Sequence, residues 1–252
     1  MDFQTLVDTD AVGIKIEHDE AVMMLGSCFA EDVGNLLKRS MLALCINPFG
    51  TLYNPRSIAQ SLRRLMADLP FSANELVAYG NLWHSMSHHS RFSSVDKDRA
   101  LQKINAAYAE GVTCLRSARH LIVTFGTAYT FSTADGETVA NCHKMPASMF
   151  NRRMLSANEI ADEWIPLIDD IRKFNPHIDI TFTVSPVLHL ADGAHGNQLS
   201  KSTLLLASDS IMAQRPGVCH YFPSYEIMLD QLRDYRFFAA DMVHPSDVAV
   251  AY

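Results

Sequence analysis

The feature that most limits how this chain can fold is a repeated passage from a short apolar run, through a tight turn, into an amphipathic helix. The first copy is EAVMMLG at 20 to 26, followed by Phe29, Val33, Leu36 and Leu37 at helical spacing. Glu31 and Asp32 stand early in that helix and Lys38 and Arg39 late, as the helix dipole prefers. The second copy begins with MLALCI at 41 to 46 and turns at NPFG, 47 to 50. It continues from Asn54-Pro55, a cap and a first helical residue, into Ile58, Leu62 and Leu65. A helix expected over about 96 to 118 leads into HLIVTF (120 to 125), whose β-branched and aromatic content suits a buried strand. TADGE (133 to 137) reads as a hairpin turn. Ser156 and Glu159 have capping-box spacing ahead of a helix that should stop before Asn175-Pro176. IDITFTV (178 to 184), a helix over roughly 198 to 214, VCHYF (218 to 222) and a short helix near 225 to 232 complete the series. Such alternation predicts a mostly parallel sheet covered on both faces, with functional loops at the carboxyl ends of the strands.

Composition narrows the reading further. With 252 residues, 48% of them hydrophobic, one α/β domain over 1–252 is expected, with an insertion around 70–95 where the alternation breaks. A net charge of −7 and no extended block of Lys or Arg argue against nucleic acid or an anionic membrane as partner. No apolar run reaches the ~18 residues of a membrane span, and no basic start leads into an apolar core as in a signal peptide. A cytoplasmic location is therefore expected unless a leader was removed. The five cysteines (Cys28, Cys45, Cys114, Cys142, Cys219) are odd in number and scattered, so reduced thiols are expected rather than a disulfide framework. PSDVAVAY (245 to 252) begins an apolar helical pattern and stops within its first turns, which reads as a truncated C-terminus.

Two short stretches carry possible chemistry. In MLGSCFAED, Ser27 falls between the first strand and the first helix, where free N–H groups and the dipole favour a developing anion. Serine is also a favoured helix cap, and on residue type and position alone the cap is the better reading. In DMVHPSD, Asp241 precedes His244 by three residues in a loop. That spacing suits a base and the carboxylate that orients it, although an isolated D-x-x-H is more often a plain polar loop.

Their pairing is not isolated. GSCFA at 26 to 30, NPFGTLYNP at 47 to 55, WHS at 83 to 85, HHSRF at 88 to 92, TFGTAYTF at 124 to 131, NCHKMP at 141 to 146, RRMLS at 152 to 156, TVSPVLHL at 183 to 190 and DMVHPS at 241 to 246 together resemble the GSCFA-domain proteins. That family is grouped with the SGNH (GDSL-like) hydrolases. The resemblance implies a flavodoxin-like three-layer α/β/α sandwich with a mostly parallel central sheet. It also implies Ser27 as nucleophile, His244 as base and Asp241 as its orienting carboxylate. No cofactor or metal is implied.

The resemblance is incomplete at the oxyanion site. It implies donors from the Ser27 N–H and from Gly50 in NPFG. The asparagine usual after the third strand is replaced by Gly126-Thr127-Ala128-Tyr129. Asn47, Thr127 and Asn141 are the candidate substitutes, each with an equally good turn-forming reading. His84, His89, Arg91, Tyr129 and His143 are candidate substrate contacts. The group of histidines at 84 to 89 also raises a metal, but no carboxylate or cysteine stands nearby to complete the site. Cys28 is the alternative nucleophile; the resemblance puts the serine in that role, which leaves Cys28 to pack inward.

The expected activity is hydrolysis of an ester, such as an acyl ester of a carbohydrate or other small metabolite, through an acyl-enzyme. Acyl transfer on the same fold is the alternative, and a non-catalytic ligand-binding module is the reading from another class. Oligomeric state is not legible in the sequence.

Overall fold

The computed structural model describes residues 5–9 and 13–252. β1 (Ala21–Gly26) leads into α1 (Cys28–Arg39) and β2 (Ala43–Ile46), and α2 (Pro55–Ala67) follows the NPFG turn. An antiparallel hairpin, β3 (Leu76–Tyr79) and β4 (Leu82–Ser85), occupies the segment before α3 (Lys97–Ser117) and β5 (His120–Phe125). Next come β6 (Tyr129–Ser132), β7 (Thr138–Val139) and β8 (Asn151–Met154), then α4 (Ala157–Phe174), β9 (Asp179–Val184), α5 (Gly193–Gln214) and β10 (Cys219–Tyr221). The chain ends with the short helices α6 (Ser224–Glu226), which runs on as a π turn to Gln231, and α7 (Asp247–Ala251).

The central sheet has five parallel strands in the order β10-β9-β5-β1-β2. Counted along the chain this is 2-1-3-4-5, the flavodoxin-like order, and the architecture is the three-layer α/β/α sandwich. Alternation along each strand assigns the two faces. Met23, Leu25, Leu121, Val123, Phe125, Ile180, Phe182 and Val184 join the main core with α2 to α5. Met24, Ile122, Thr124, Thr181 and Thr183 line the opposite face together with Phe29 and Val33 of α1. At the centre of the core, Phe125, Trp164 and Phe182 pack as a triangle with ring centroids 5.1 to 5.5 Å apart. The Trp164 indole N–H donates to Pro55 O at 3.2 Å, so its one polar atom is satisfied.

Local signals act where expected. Asn54 Oδ1 accepts the Ser57 N–H at 2.9 Å, with Pro55 as the first residue of α2. Ser156 and Glu159 form a reciprocal capping box, and α4 ends at Phe174 before Asn175-Pro176. The TADGE turn joins β6 to β7. All five cysteines are free, with Cys219 buried and the others half-buried.

Two elements differ from the sequence reading. β8, with the polar sequence NRRM, pairs with β6 to complete a small antiparallel sheet. Its side chains are largely exposed, so it carries no apolar signature. α5 starts at Gly193 rather than near 198, because two glycines in GAHGN weaken the helical pattern while Asn197 Oδ1 anchors the turn by accepting the His189 N–H at 3.0 Å. Among the described residues no helix is long and apolar enough to cross a membrane.

The strand order also fixes where a ligand can bind. From β1 the chain crosses to β2 on one side and returns, through α2 and α3, to β5 on the other. The crevice outside the carboxyl ends of β1 and β5 is the topological switch point of the sheet.

Candidate active site

Ser27 is the first residue after β1, in that crevice. Its entry demands glycine at position 26: φ is +142°, and a Cβ there would lie 2.1 Å from Thr124 O on the neighbouring strand. Gly26 thereby lets β1 and β5 meet closely at their ends, and the Ser27 N–H donates to Thr124 O at 3.3 Å. Gly126, the first residue after β5, faces the serine from the other strand; a Cβ there would come within 3.4 Å of Ser27 Cβ.

Ser27 holds the N-cap position of α1 but its hydroxyl makes no cap hydrogen bond. The side chain is buried, and Oγ has no hydrogen-bond partner among the described residues. Capping therefore does not account for this serine. A buried hydroxyl left unpaired costs free energy, on the order of 1 to 3 kcal/mol, which is retained at sites that use the group for something else.

Asp241 and His244 form a close pair. His244 Nδ1 and Asp241 Oδ2 are 2.7 Å apart, and Asp241 Oδ1 accepts the backbone N–H groups of Val243 and His244. Those two N–H groups, with the His244 ring, hold the Asp241 carboxyl down at about 2. The loop is fastened by Leu188 N–H to Val243 O and by Ala239 N–H to His244 O. His244 and Cys28 line one cleft of about 590 Å³, together with Tyr53, Thr127, Tyr129, Arg152 and His189. The hydroxyl of Ser27 and the ring of His244 are not hydrogen-bonded to each other in this structure.

Cys28 is half-buried and lines the cleft, where the sequence reading had it packing inward. Burial, reinforced by the Asp32 carboxylate, pushes its thiol up and outweighs the helix start.

The oxyanion candidates separate by how their polar atoms are used. Thr127 Oγ1 lies 3.1 Å from Ser200 Oγ and accepts the Tyr129 N–H. Asn141 Oδ1 accepts the His143 N–H at 2.8 Å, closing a local turn. The Gly50 N–H donates to Asn47 O at 2.7 Å. Asn47 is different: it is fully buried, its Oδ1 accepts the Gly26 N–H at 2.9 Å, and its Nδ2 has no partner among the described residues. Because the Gly26 N–H can only donate, the amide oxygen must face it, and Nδ2 is the arm left over.

Of the five candidate substrate contacts, Tyr129 lines the cleft and His84, His89, Arg91 and His143 do not. The histidine-rich stretch braces the NPFG turn instead. The His89 N–H donates to Phe49 O, and Gly50, at φ +77°, leaves room for His89 Cβ, which would sit 2.3 Å from an added Cβ. Arg91 donates to Asn47 O at 2.6 Å and to Glu31 at 2.8 Å. His88 stacks on Phe49, with burial pushing its imidazole down to about 3. His84 bonds Ser93 Oγ, and His143 bonds Ser85 O. Among the described residues no group of three or more His, Cys, Asp or Glu is placed to hold a metal ion.

Three residues near the site were not singled out from sequence. Arg152 lies 3.8 Å over the Tyr129 ring and pairs with Asp192, so one face of that aromatic is already covered. His189, which falls within TVSPVLHL, lines the cleft; burial and the nearby Lys201 charge push its imidazole down to about 4. Lys201 is fully buried beneath Gly126. Its signal was present in the sequence: it falls on the buried stripe Asn197, Ser200, Leu204, Ala207, Ile211 of α5, where a lysine is out of place.

Among solved structures, the chain is similar to a protein named for platelet activating factor from Streptococcus pneumonia, at 10% identity and a TM-score of 0.45, over 96% of this chain and 85% of that one. It is also similar to an acetyl xylan esterase from the rumen bacterium Butyrivibrio proteoclasticus, at 11% identity and a TM-score of 0.42, over 94% of this chain and 62% of that one. No curated protein matches. The family comparison covers most of the chain: residues 21–252 match the GSCFA family, and the chain belongs to it.

Proposed function

We propose that this protein is a serine-dependent hydrolase of the SGNH type that cleaves an ester of a small molecule, such as an acylated carbohydrate, through an acyl-enzyme. The observation that carries the reading is Ser27: a buried hydroxyl with no cap bond and no other partner among the described residues, at a helix N-terminus in the switch-point crevice, next to Cys28, which shares a cleft with the Asp241-bonded His244. Membership of the GSCFA family supports it.

In this mechanism Ser27 Oγ attacks the ester carbonyl carbon and its proton passes to His244 Nε2. Asp241, ionised at every working pH, fixes the Nδ1–H tautomer and stabilises the imidazolium. The carbonyl electron pair moves to oxygen, where Asn47 Nδ2 and the positive end of the α1 dipole receive the charge. His244 then protonates the departing alcohol, and water activated by the same imidazole releases the acid. The step requires the loop around His244 to close on Ser27 as substrate enters. Tyr53, Tyr129 and the Arg152–Asp192 pair would border the alcohol portion.

The test is release of free acid from p-nitrophenyl acetate and from peracetylated sugars, with Ser27→Ala as control. Turnover that disappears in Ser27→Ala supports the reading. Tight binding of an acylated ligand with no acid released would favour a binding module, and transfer of the acyl group to an added alcohol in preference to water would make the protein an acyltransferase.

A further inference from the structure

The buried lysine of α5 is the one charged side chain in the described interior without a carboxylate beside it. Lys201 is 0% exposed, and its Nζ donates to Gly126 O and Ser185 O, each at 2.6 Å. Gly126 is the first residue after β5 and Ser185 the first after β9, so these are carbonyls at the point where the two paired strands leave the ladder. A water molecule, with two O–H donors, could satisfy two carbonyls without bringing a charge into the core. An ammonium there carries a desolvation cost that no ion pair offsets.

What the charge faces explains its retention. Gly126 links Lys201 to the serine turn: its carbonyl accepts from the first, and a Cβ built on it would lie 3.4 Å from Ser27 Cβ. The charge is felt at Cys28, the first residue of α1, and at His189 in the loop before α5. Both of those groups are neutral near pH 7: burial raises the Cys28 thiol, and burial with Lys201 itself lowers His189 to about 4. The ammonium is thus a positive charge beneath the serine turn whose hydrogen-bond partners include no carboxylate.

We infer that Lys201 is a positioning residue for the nucleophile. Its ammonium clamps the ends of β5 and β9 through Gly126 and Ser185, fixes the wall against Ser27, and, while protonated, supplies a positive field for the negative charge that develops when Ser27 attacks. The inference rests on the serine-hydrolase reading above. In a low-dielectric interior such a fixed charge is preorganised and needs no rearrangement during the reaction. Burial also pushes the Lys201 ammonium down to about 7, so the field is lost in mildly alkaline solution.

The experiment follows the rate at which a fluorophosphonate probe modifies the native chain between pH 6 and 9.5, with circular dichroism at each pH. In that step Ser27 Oγ bonds to phosphorus, fluoride leaves, and the hydroxyl proton passes to His244. The native chain should lose labelling rate as pH rises above about 7 while keeping its folded spectrum. Lys201→Met should label roughly 100-fold more slowly at pH 6 to 7 and show no alkaline fall. If Lys201→Met does not fold, the alkaline fall of the native chain decides alone. A native rate that stays level to pH 9.5, or a folded Lys201→Met that labels as fast as the native chain, overturns the role of Lys201 and leaves the hydrolase reading standing. A native chain that does not label at any pH overturns the hydrolase reading, and this inference with it.

Discussion

Asp241 Oδ2 lies 2.7 Å from His244 Nδ1, while Asp241 Oδ1 accepts the backbone N–H of the same histidine at 3.0 Å. One carboxylate thus holds both the ring and the main chain of its partner, which orients the imidazole although the side chains are about half exposed. Asp241→Asn should preserve the backbone bond through its amide oxygen and present the wrong group to Nδ1. Ester hydrolysis should fall roughly 10³- to 10⁴-fold with little change in Tm, measured as kcat on p-nitrophenyl acetate.

Asn47 can be tested without breaking its structural bond. Asn47→Asp keeps an oxygen for the Gly26 N–H and removes the Nδ2 donor. The expected loss is about 10² to 10³ in kcat, and Asn47→Ala should add a drop in stability because the Gly26 N–H then loses its acceptor. If Asn47→Asp folds and turns over normally, another donor serves the oxyanion.

Gly26→Ala should destabilise the protein by roughly 3 kcal/mol or more in urea denaturation. The added methyl meets Thr124 O, a backbone atom of a central strand that has nowhere to move. An alanine variant of native stability would contradict the close approach of β1 and β5.

Acid stability should depend on Glu159. The Arg153 guanidinium, followed by the Ser156 N–H, holds its carboxyl down at about 2. A carboxyl whose folded pKa lies below its unfolded value stabilises the fold above the unfolded pKa, near 4, and loses that contribution as pH falls toward 2. Glu159→Gln should therefore lower the urea midpoint at pH 6 slightly and flatten its decline between about pH 4 and 2. The effect is small, because the pair is largely exposed and solvent screens it.

Much of the fold could be read from the chain because its signals are local. The apolar runs of β1, β5 and β9 and the caps at Asn54 and Ser156 each specify their own element within a few residues. β8 escaped because an edge strand of a small sheet need not be apolar, and the start of α5 escaped because its glycines are held by a tertiary bond from Asn197. At the site, sequence pointed to Ser27, Asp241 and His244 through motif and resemblance. It could not show that the hydroxyl of Ser27 goes without a cap bond, or that HHSRF folds back to brace Asn47 and Phe49. The second of these joins residues 40 or more positions apart, and the first depends on how the serine turn packs against its neighbours.

The most direct test of the central claim is intact-mass analysis after exposure to a fluorophosphonate probe, comparing the native chain with Ser27→Ala and Cys28→Ala. The account predicts a single adduct on the native chain and on Cys28→Ala, and none on Ser27→Ala. An adduct that survives in Ser27→Ala, or a folded native chain that stays unmodified, would contradict it.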